Sequence, residues 1–186
     1  MRREKTKKTV FIIAGCILIT LLLALVIWSL MFLGTTDIKK YGQFENYNGY
    51  SKLEIFPEEI PEDAQEVSYY YLNRDTFMDP TCEVYLKCTY SEETYKDELE
   101  RLKGISGIKE DAEHFMSTAY VSVYNFSSSY EYALPIEAEN TIVYISTQGI
   151  YPSKLLGLKF DKKYLPNDFM KDTTYVGDSR NFSIYY

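Results

Sequence analysis

An unbroken apolar run over residues 10–33 constrains this chain more than any other feature. The run is 24 residues long and contains no charged residue and no proline. In the hydrocarbon core of a bilayer, a single segment can satisfy its own backbone hydrogen bonds only as a helix. At about 1.5 Å per residue, such a helix is about 36 Å long and exceeds the ~30 Å core. The sequence therefore predicts a transmembrane helix over residues 10–33.

The charges on the two sides of the run predict its orientation. The first eight residues include five basic residues and one acidic residue. Beyond the run, Lys39 and Lys40 are accompanied by Asp37. Basic residues are retained on the cytoplasmic side of a membrane. We therefore expect residues 1–9 to be a cytoplasmic tail, and the chain to be a single-pass cell-membrane protein with its C-terminal domain outside.

Two other interpretations of the N-terminus are open. A cleaved signal peptide also begins with basic residues, but its apolar region is usually about 7–15 residues long and ends in small residues. Here the run is longer and ends with the bulky Phe32 close to Gly34. Residues 13–16 (Ile-Ala-Gly-Cys) resemble a bacterial lipobox, yet the apolar stretch before that cysteine begins only at Val10. We favour an uncleaved signal anchor over both.

Small side chains recur along the run. Cys16, Thr20 and Ala24 are spaced four residues apart and share one face of a helix. Small residues allow two helices to approach closely in lipid. The pattern allows a weak homodimer; the favoured interpretation is a chance stripe in which the Thr20 hydroxyl bonds to its own helix.

Charge is divided unevenly along the chain. Of 20 basic and 27 acidic residues, the tail holds five and one, which leaves 15 and 26 in the remainder, a balance of −11. Such a field opposes binding to nucleic acid or to anionic lipid and favours cationic ligands. We therefore expect no nucleic-acid partner.

All 19 tyrosines follow the apolar run, beginning with Tyr41. Tyrosine combines a large apolar ring with a hydroxyl, which suits half-buried sheet surfaces and also binding faces. A Tyr-rich face of a sheet is thus the compositional indication of a recognition surface, and ordinary sheet packing is the other interpretation.

The remainder predicts a linker and one domain. Residues 34–52 mix Gly, Asn, Thr and charged residues without periodicity, as expected of a linker. Pro57 and Pro61 then set an extended entry into a domain over residues 53–186. Its 134 residues are enough for one hydrophobic core.

Alternating and aromatic runs predict several strands in this domain, with an antiparallel meander in its middle. Ser91 as N-cap, acidic residues after it and an apolar stripe predict a helix that ends near Gly104; the stripe is formed by Tyr95, Leu99 and Leu102. A second helix is predicted over residues 108–116. The fold class is therefore α+β, with a mainly antiparallel sheet and one or two helices. The predicted strands are 66–72, 83–90, 120–126, 130–134 and 141–146, with further edges at 155–160 and 182–186.

The positions of the cysteines and of the histidine do not indicate a disulfide or a metal site. On one continuous strand Cys82 and Cys88 share a face about 20 Å apart, whereas a disulfide needs Cα atoms within about 7 Å. A bridge therefore requires Cys82 to lie in a turn, and we favour free thiols. His114 is the single histidine. On a helix it would share a side with Glu110, which allows a shared metal ion, but an exposed charged helix face is the favoured interpretation.

Motifs of established chemistry are missing from the sequence. It has no Gly-x-Ser-x-Gly, phosphate-loop, dinucleotide or calcium-loop pattern. We therefore predict no catalytic, cofactor or metal residue, and no cofactor.

One resemblance is carried by residues 55–64 (Ile-Phe-Pro-Glu-Glu-Ile-Pro-Glu-Asp-Ala), residues 69–71 (Tyr-Tyr-Tyr), residues 83–95 and residues 100–102 (Glu-Arg-Leu). Together they resemble uncharacterised single-pass surface proteins of Gram-positive bacteria. The resemblance covers about 50 residues and implies no activity and no site residue.

Two functions remain open. The favoured one is a membrane-anchored extracytoplasmic binding or interaction module, with a protein or glycan partner in the cell envelope. The alternative is a small cell-envelope hydrolase with paired carboxylates, which would need a cleft holding two carboxyls about 5–10 Å apart. No catalytic motif supports the enzyme.

Overall fold

The chain divides into two compact units, Met1–Leu33 and Gly34–Tyr186. The computed structural model describes residues 2–30, 34–43, 53–74, 81–124, 129–148 and 161–165.

The first unit is a single helix, α1 (Arg2–Leu30). Its stretch Phe11–Trp28 is entirely unburied and is long and apolar enough to cross a membrane. The Thr20 hydroxyl donates to the carbonyl of Cys16 at 2.9 Å, which satisfies it within the helix. The role of the small-residue stripe in dimerisation stays a prediction.

The second unit contains one antiparallel sheet of six strands in the order β1-β2-β6-β5-β4-β3. The consecutive strands β4, β5 and β6 lie side by side, which confirms the predicted meander, and β6 joins it to the β1–β2 pair. The predicted α+β class is confirmed. The strands are β1 (Gln65–Arg74), β2 (Thr81–Thr89), β3 (Lys109–Asp111), β4 (Ala119–Tyr124), β5 (Ser129–Ile136) and β6 (Thr141–Gln148).

The second helix, α2 (Glu92–Gly104), follows the predicted pattern. The Ser91 hydroxyl accepts the backbone N–H of Thr94 at 3.2 Å and caps its first turn. Tyr95 and Leu102 are buried against one face of the sheet, here called the helix-covered face. Sheet residues that pack on this face include Tyr69, Val84, Leu86, Cys88, Ile142 and Tyr144.

The opposite face of the sheet has its own apolar cluster. The ring of Phe115 packs on that of Tyr132 with centroids 5.0 Å apart. The Tyr132 hydroxyl donates to the carbonyl of Tyr164 at 3.3 Å. The sheet is therefore apolar on both faces; this second cluster includes Val121, Leu134, Val143 and Ile145.

The predicted helix over residues 108–116 is wrong. The chain there forms β3, which pairs with β4, followed by a turn. The Asp111 carboxylate accepts the backbone N–H groups of Glu113 and His114, both at 3.0 Å. Such side-chain bonds compete with helix formation. Gly107, with φ at 84°, separates this stretch from α2.

The first ten residues of the predicted linker belong structurally to the second unit. Thr35 forms an antiparallel bridge with Tyr71, with backbone bonds of 2.8 and 2.9 Å. Tyr41 packs edge-on against Tyr69 with ring centroids 5.6 Å apart. The predicted edge strands at 155–160 and 182–186 lie outside the described residues.

Cys82 and Cys88 are free and buried, as favoured from the sequence. Both lie within β2, so Cys82 does not occupy the turn that a bridge would require. Burial raises the pKa of the Cys88 thiol to about 11. It therefore stays neutral at physiological pH and packs as a small apolar side chain.

We predict that Cys88→Ala lowers the free energy of unfolding by about 1 kcal/mol, whereas Cys88→Asp lowers it by at least ~3 kcal/mol through an unpaired buried charge. Lys87→Ala, a change at the neighbouring residue on the opposite face, should cost under ~0.5 kcal/mol. Denaturant unfolding of the full chain in detergent, followed by the tyrosine signal in near-ultraviolet circular dichroism, reports mainly the second unit, because all 19 tyrosines follow α1, whose only contributors are Trp28 and Phe11. An aspartate variant as stable as the parent, or destabilisation by reductant alone, would contradict this packing.

Candidate binding groove

Residues 53–64, here called the proline segment, cover the sheet beside α2. Ile55 and Phe56 are 0% and 3% exposed. The ring of Phe56 packs against Tyr144 with centroids 5.6 Å apart. The segment is therefore part of the core and not a free entry loop.

Polar groups of α2 hold the proline segment at both ends. Arg101 donates from Nη1 to the carbonyl of Glu54 at 3.0 Å and from Nη2 to that of Ile55 at 2.6 Å. The Asp63 carboxylate accepts the Thr94 hydroxyl at 2.7 Å and the backbone N–H of Ser91 at 3.3 Å. Hydrogen bonds from Ser91 and Thr94 lower the pKa of Asp63. The segment thus follows the full length of α2.

Arg101 is itself fixed by Glu98 on the preceding turn of α2. Its Nε and Nη2 donate to the two carboxylate oxygens, both at 2.7 Å. The Tyr144 hydroxyl also donates to Glu98 Oε1, at 2.7 Å. Since that donation uses the only hydroxyl proton of Tyr144, the Tyr90 hydroxyl 3.0 Å away is the donor to Tyr144. These four side chains form a connected polar network beneath α2.

Glu131 on β5 supports the proline segment from below. Its side chain is fully buried, and Oε1 accepts the backbone N–H of Ile55 at 2.9 Å. Burial raises the pKa of Glu131 to about 8, against the lowering effect of hydrogen bonds from the Ile55 and Phe56 backbone. Ile55 is therefore held through both backbone groups, its N–H by Glu131 and its carbonyl by Arg101.

An open groove of about 380 Å³ lies where the proline segment meets β1 and the 3₁₀ turn Ile38–Lys40. Tyr41 fixes its position, because its hydroxyl donates to the carbonyl of Pro57 at 2.6 Å. The groove is lined by Ile38, Tyr41, Glu58, Glu59, Ile60 and Val67.

The β1 side of the groove is irregular. Between Gln65 and Ser68, β1 contains one residue more than the facing stretch of β2. This irregularity is a β-bulge. Within it Glu66 has φ at 47°, a left-handed conformation that costs free energy for a residue other than glycine. Bulges and strained residues concentrate next to functional sites. Here the bulge lies directly beside Val67 in the groove wall.

The buried carboxylates do not form the pair that the hydrolase alternative needs. Among the described residues, Glu83 and Glu131 are the acidic residues that are buried overall. Glu83 pairs with Thr147 and Glu131 pairs with Ser146, so the two side chains project from opposite faces of the sheet. Glu83 and Glu131 therefore do not form a glycosidase-type pair.

His114 and Glu110 do not share one side, as they would on the predicted helix. The Nδ1 of His114 lies 2.9 Å from Asp111 Oδ2, and both side chains are mostly buried. Glu110 precedes Asp111 on β3 and therefore faces the other side of the sheet. Among the described residues no group of three or more His, Cys, Asp or Glu could hold a metal ion.

The described tyrosines serve mainly sheet packing. Side chains of 11 tyrosines are described; eight are buried and three half-buried. The candidate binding surface is instead the groove, whose residues Ile38 and Tyr41 fall in the predicted linker. The sequence contains a local signal for this turn. Asp37 caps the 3₁₀ turn by accepting the N–H of Lys39, and the apolar residues Ile38 and Tyr41 stand three positions apart.

Replacing Glu131 with Gln should remove a pH dependence from stability. A pKa of about 8 in the folded chain, against 4.5 unfolded, means that the folded chain binds more protons between these values. The free energy of unfolding therefore falls as pH rises through that window, by up to about 1.4 kcal/mol per unit. Glu131→Gln keeps an acceptor for Ile55 and should exceed the parent by roughly 2–4 kcal/mol at pH 8.

The measurement is denaturant unfolding at pH 5 and pH 8 by tyrosine circular dichroism. Glu100→Gln, on the exposed side of α2, is the control and should follow the parent at both pH values. If the free energy of unfolding changes by the same amount between pH 5 and pH 8 in the parent and in Glu131→Gln, Glu131 does not hold a proton in the folded chain.

No family model matches this chain, and no curated protein or solved structure is detectably similar to it. The resemblance to surface proteins of Gram-positive bacteria remains an expectation from the sequence. The geometry of the groove is what bears on function.

Proposed function

We propose that this chain is a membrane-anchored extracytoplasmic binding module that engages a protein or glycan of the cell envelope through the groove. The observation that carries the proposal is the groove itself, an open apolar cavity of about 380 Å³ with acidic walls. Its volume lies in the usual range of binding sites, roughly 300–1,000 Å³.

The walls of the groove are fixed before any partner arrives. One wall belongs to the proline segment, which Arg101, Asp63 and Glu131 hold at separate points. Another belongs to the segment of Tyr41, which is bonded to Pro57. Ordering loops on binding costs free energy, so a preformed site favours affinity.

The polar groups of the network have structural roles that oppose catalysis. Both oxygens of Glu98 are taken by Arg101, and the Tyr144 hydroxyl is directed at the same carboxylate. They lie beneath α2, where a substrate would have to displace the helix. Binding in the groove requires no such movement.

Anchoring is supported by α1 and its flanks. The unburied stretch Phe11–Trp28 has the length and composition of a membrane span. The basic residues before it support a cytoplasmic N-terminus. The groove residues would then face the envelope.

A reporter enzyme that is active only outside the cytoplasm should work when fused after Tyr186 and fail when fused before Met1. The physical reason is retention of the basic tail in the cytoplasm. Activity is measured in intact cells, with protein amounts checked by immunoblot. The reverse pattern of activity would contradict the proposed location.

Photo-crosslinking in the cells of origin should detect a partner at the groove. A benzophenone amino acid at Ile38 or Ile60 should give the same discrete crosslinked product, because both side chains line one groove. Met116, an exposed apolar residue outside the groove (52% exposed), is the matched control position and should give none. Products at Met116 alone would place binding elsewhere and contradict the proposal.

A further inference from the structure

The groove is acidic on the side of the proline segment and β1. Glu58 and Glu59 line it, Glu62 follows the lining residue Ile60 by two positions, and Glu66 directly precedes the lining residue Val67. All four side chains are exposed, and within the described part of the chain none forms an ion pair or a side-chain hydrogen bond.

Some other carboxylates of the same unit are paired with basic residues. On α2, Glu92 pairs with Lys96 at 2.6 Å and Glu100 pairs with Lys103 at 2.8 Å. The groove carboxylates have no such neighbours on their own segment. On the opposite wall, Lys39 and Lys40 adjoin Ile38, but the four glutamates outnumber these two lysines.

The floor of the groove is apolar. Ile38 is 41% exposed, which is unusual for a large apolar residue of the second unit. Ile60 and Val67 are half-buried beside it. An apolar side chain of a partner would cover this surface and remove it from water.

We infer that the partner, if the proposed function holds, is a polypeptide segment with basic residues on both sides of an apolar side chain. The apolar side chain fills the floor, and the basic residues face Glu58, Glu59 and their neighbours. A second copy of this chain would bring like charge to the groove, and an anionic lipid or nucleic acid would be repelled. A neutral glycan would offer hydroxyl donors to the carboxylates but no opposite charge.

The probe is a fluorescein-labelled peptide with a phenylalanine between two Lys-Lys pairs, titrated with the full chain in nanodiscs of neutral lipid and followed by anisotropy. Replacing both Glu58 and Glu59 with Gln should weaken binding about five- to tenfold, as expected for two exposed ion pairs. The matched control, Glu93→Gln with Asp97→Asn on the exposed side of α2, makes the same change in net charge. It should bind within about twofold of the parent, since distant exposed charges are screened.

Two further comparisons test the two parts of the inference. A peptide with glycine in place of phenylalanine should bind more weakly, and Ile38→Ala should weaken the parent peptide but not the glycine peptide. Raising the salt concentration should weaken binding of the parent and leave the Glu58/Glu59 variant less affected.

Three results would overturn the inference: no binding of the basic peptide, equal losses in the groove and control variants, or equal binding of a peptide with glutamate in place of lysine. The crosslinking result separates this failure from that of the proposed function. Crosslinks at Ile38 and Ile60 without peptide binding would leave the groove as a binding site and change its partner class. Loss of both would remove the groove as a binding site.

Discussion

The placement of the Arg101 guanidinium is the interaction on which the second unit depends most. It bonds to both oxygens of Glu98 and to the carbonyls of Glu54 and Ile55, and so joins α2 to the proline segment. The planar fork of arginine can serve several acceptors at once, which the single ammonium of lysine cannot do with the same geometry. Through Glu98 the contact continues to Tyr144 on β6. Helix, segment and sheet therefore share one charged group.

This arrangement fixes the position of the groove. The proline segment supplies Glu58, Glu59 and Ile60, and its preceding residues are bonded to Arg101 and Glu131. Apolar packing of Phe56 favours burial of the segment, but apolar contacts alone tolerate sliding. Directional hydrogen bonds to the backbone of Ile55 specify a single register for the proline segment. The polar network therefore determines where the segment lies and also contributes to its stability.

The sequence predicted the elements that local patterns encode and missed those that distant segments create. Alternating and aromatic runs found five of the six strands among the described residues, but the prediction for β5 stopped at Leu134, directly before Pro135. The strand continues to Ile136 since β4 pairs with it only as far as Ala133, which leaves Pro135 paired on one side. The buried role of Glu131 depends on Ile55, 76 residues away. The groove combines three short segments, two of which lie outside every predicted strand and helix.

Solvation separates the carboxylates of this unit into two groups. Glu131 and Glu98 are removed from water, one with its pKa raised by burial and the other paired with arginine, and both maintain the fold. Glu58 and Glu59 remain hydrated at the groove. A charge in water costs little to keep and is available to a partner, whereas a buried charge must be neutralised or paired. Since the chain beyond the basic tail has a balance of −11, its overall field would attract a basic segment from a distance, and the groove would then select by shape.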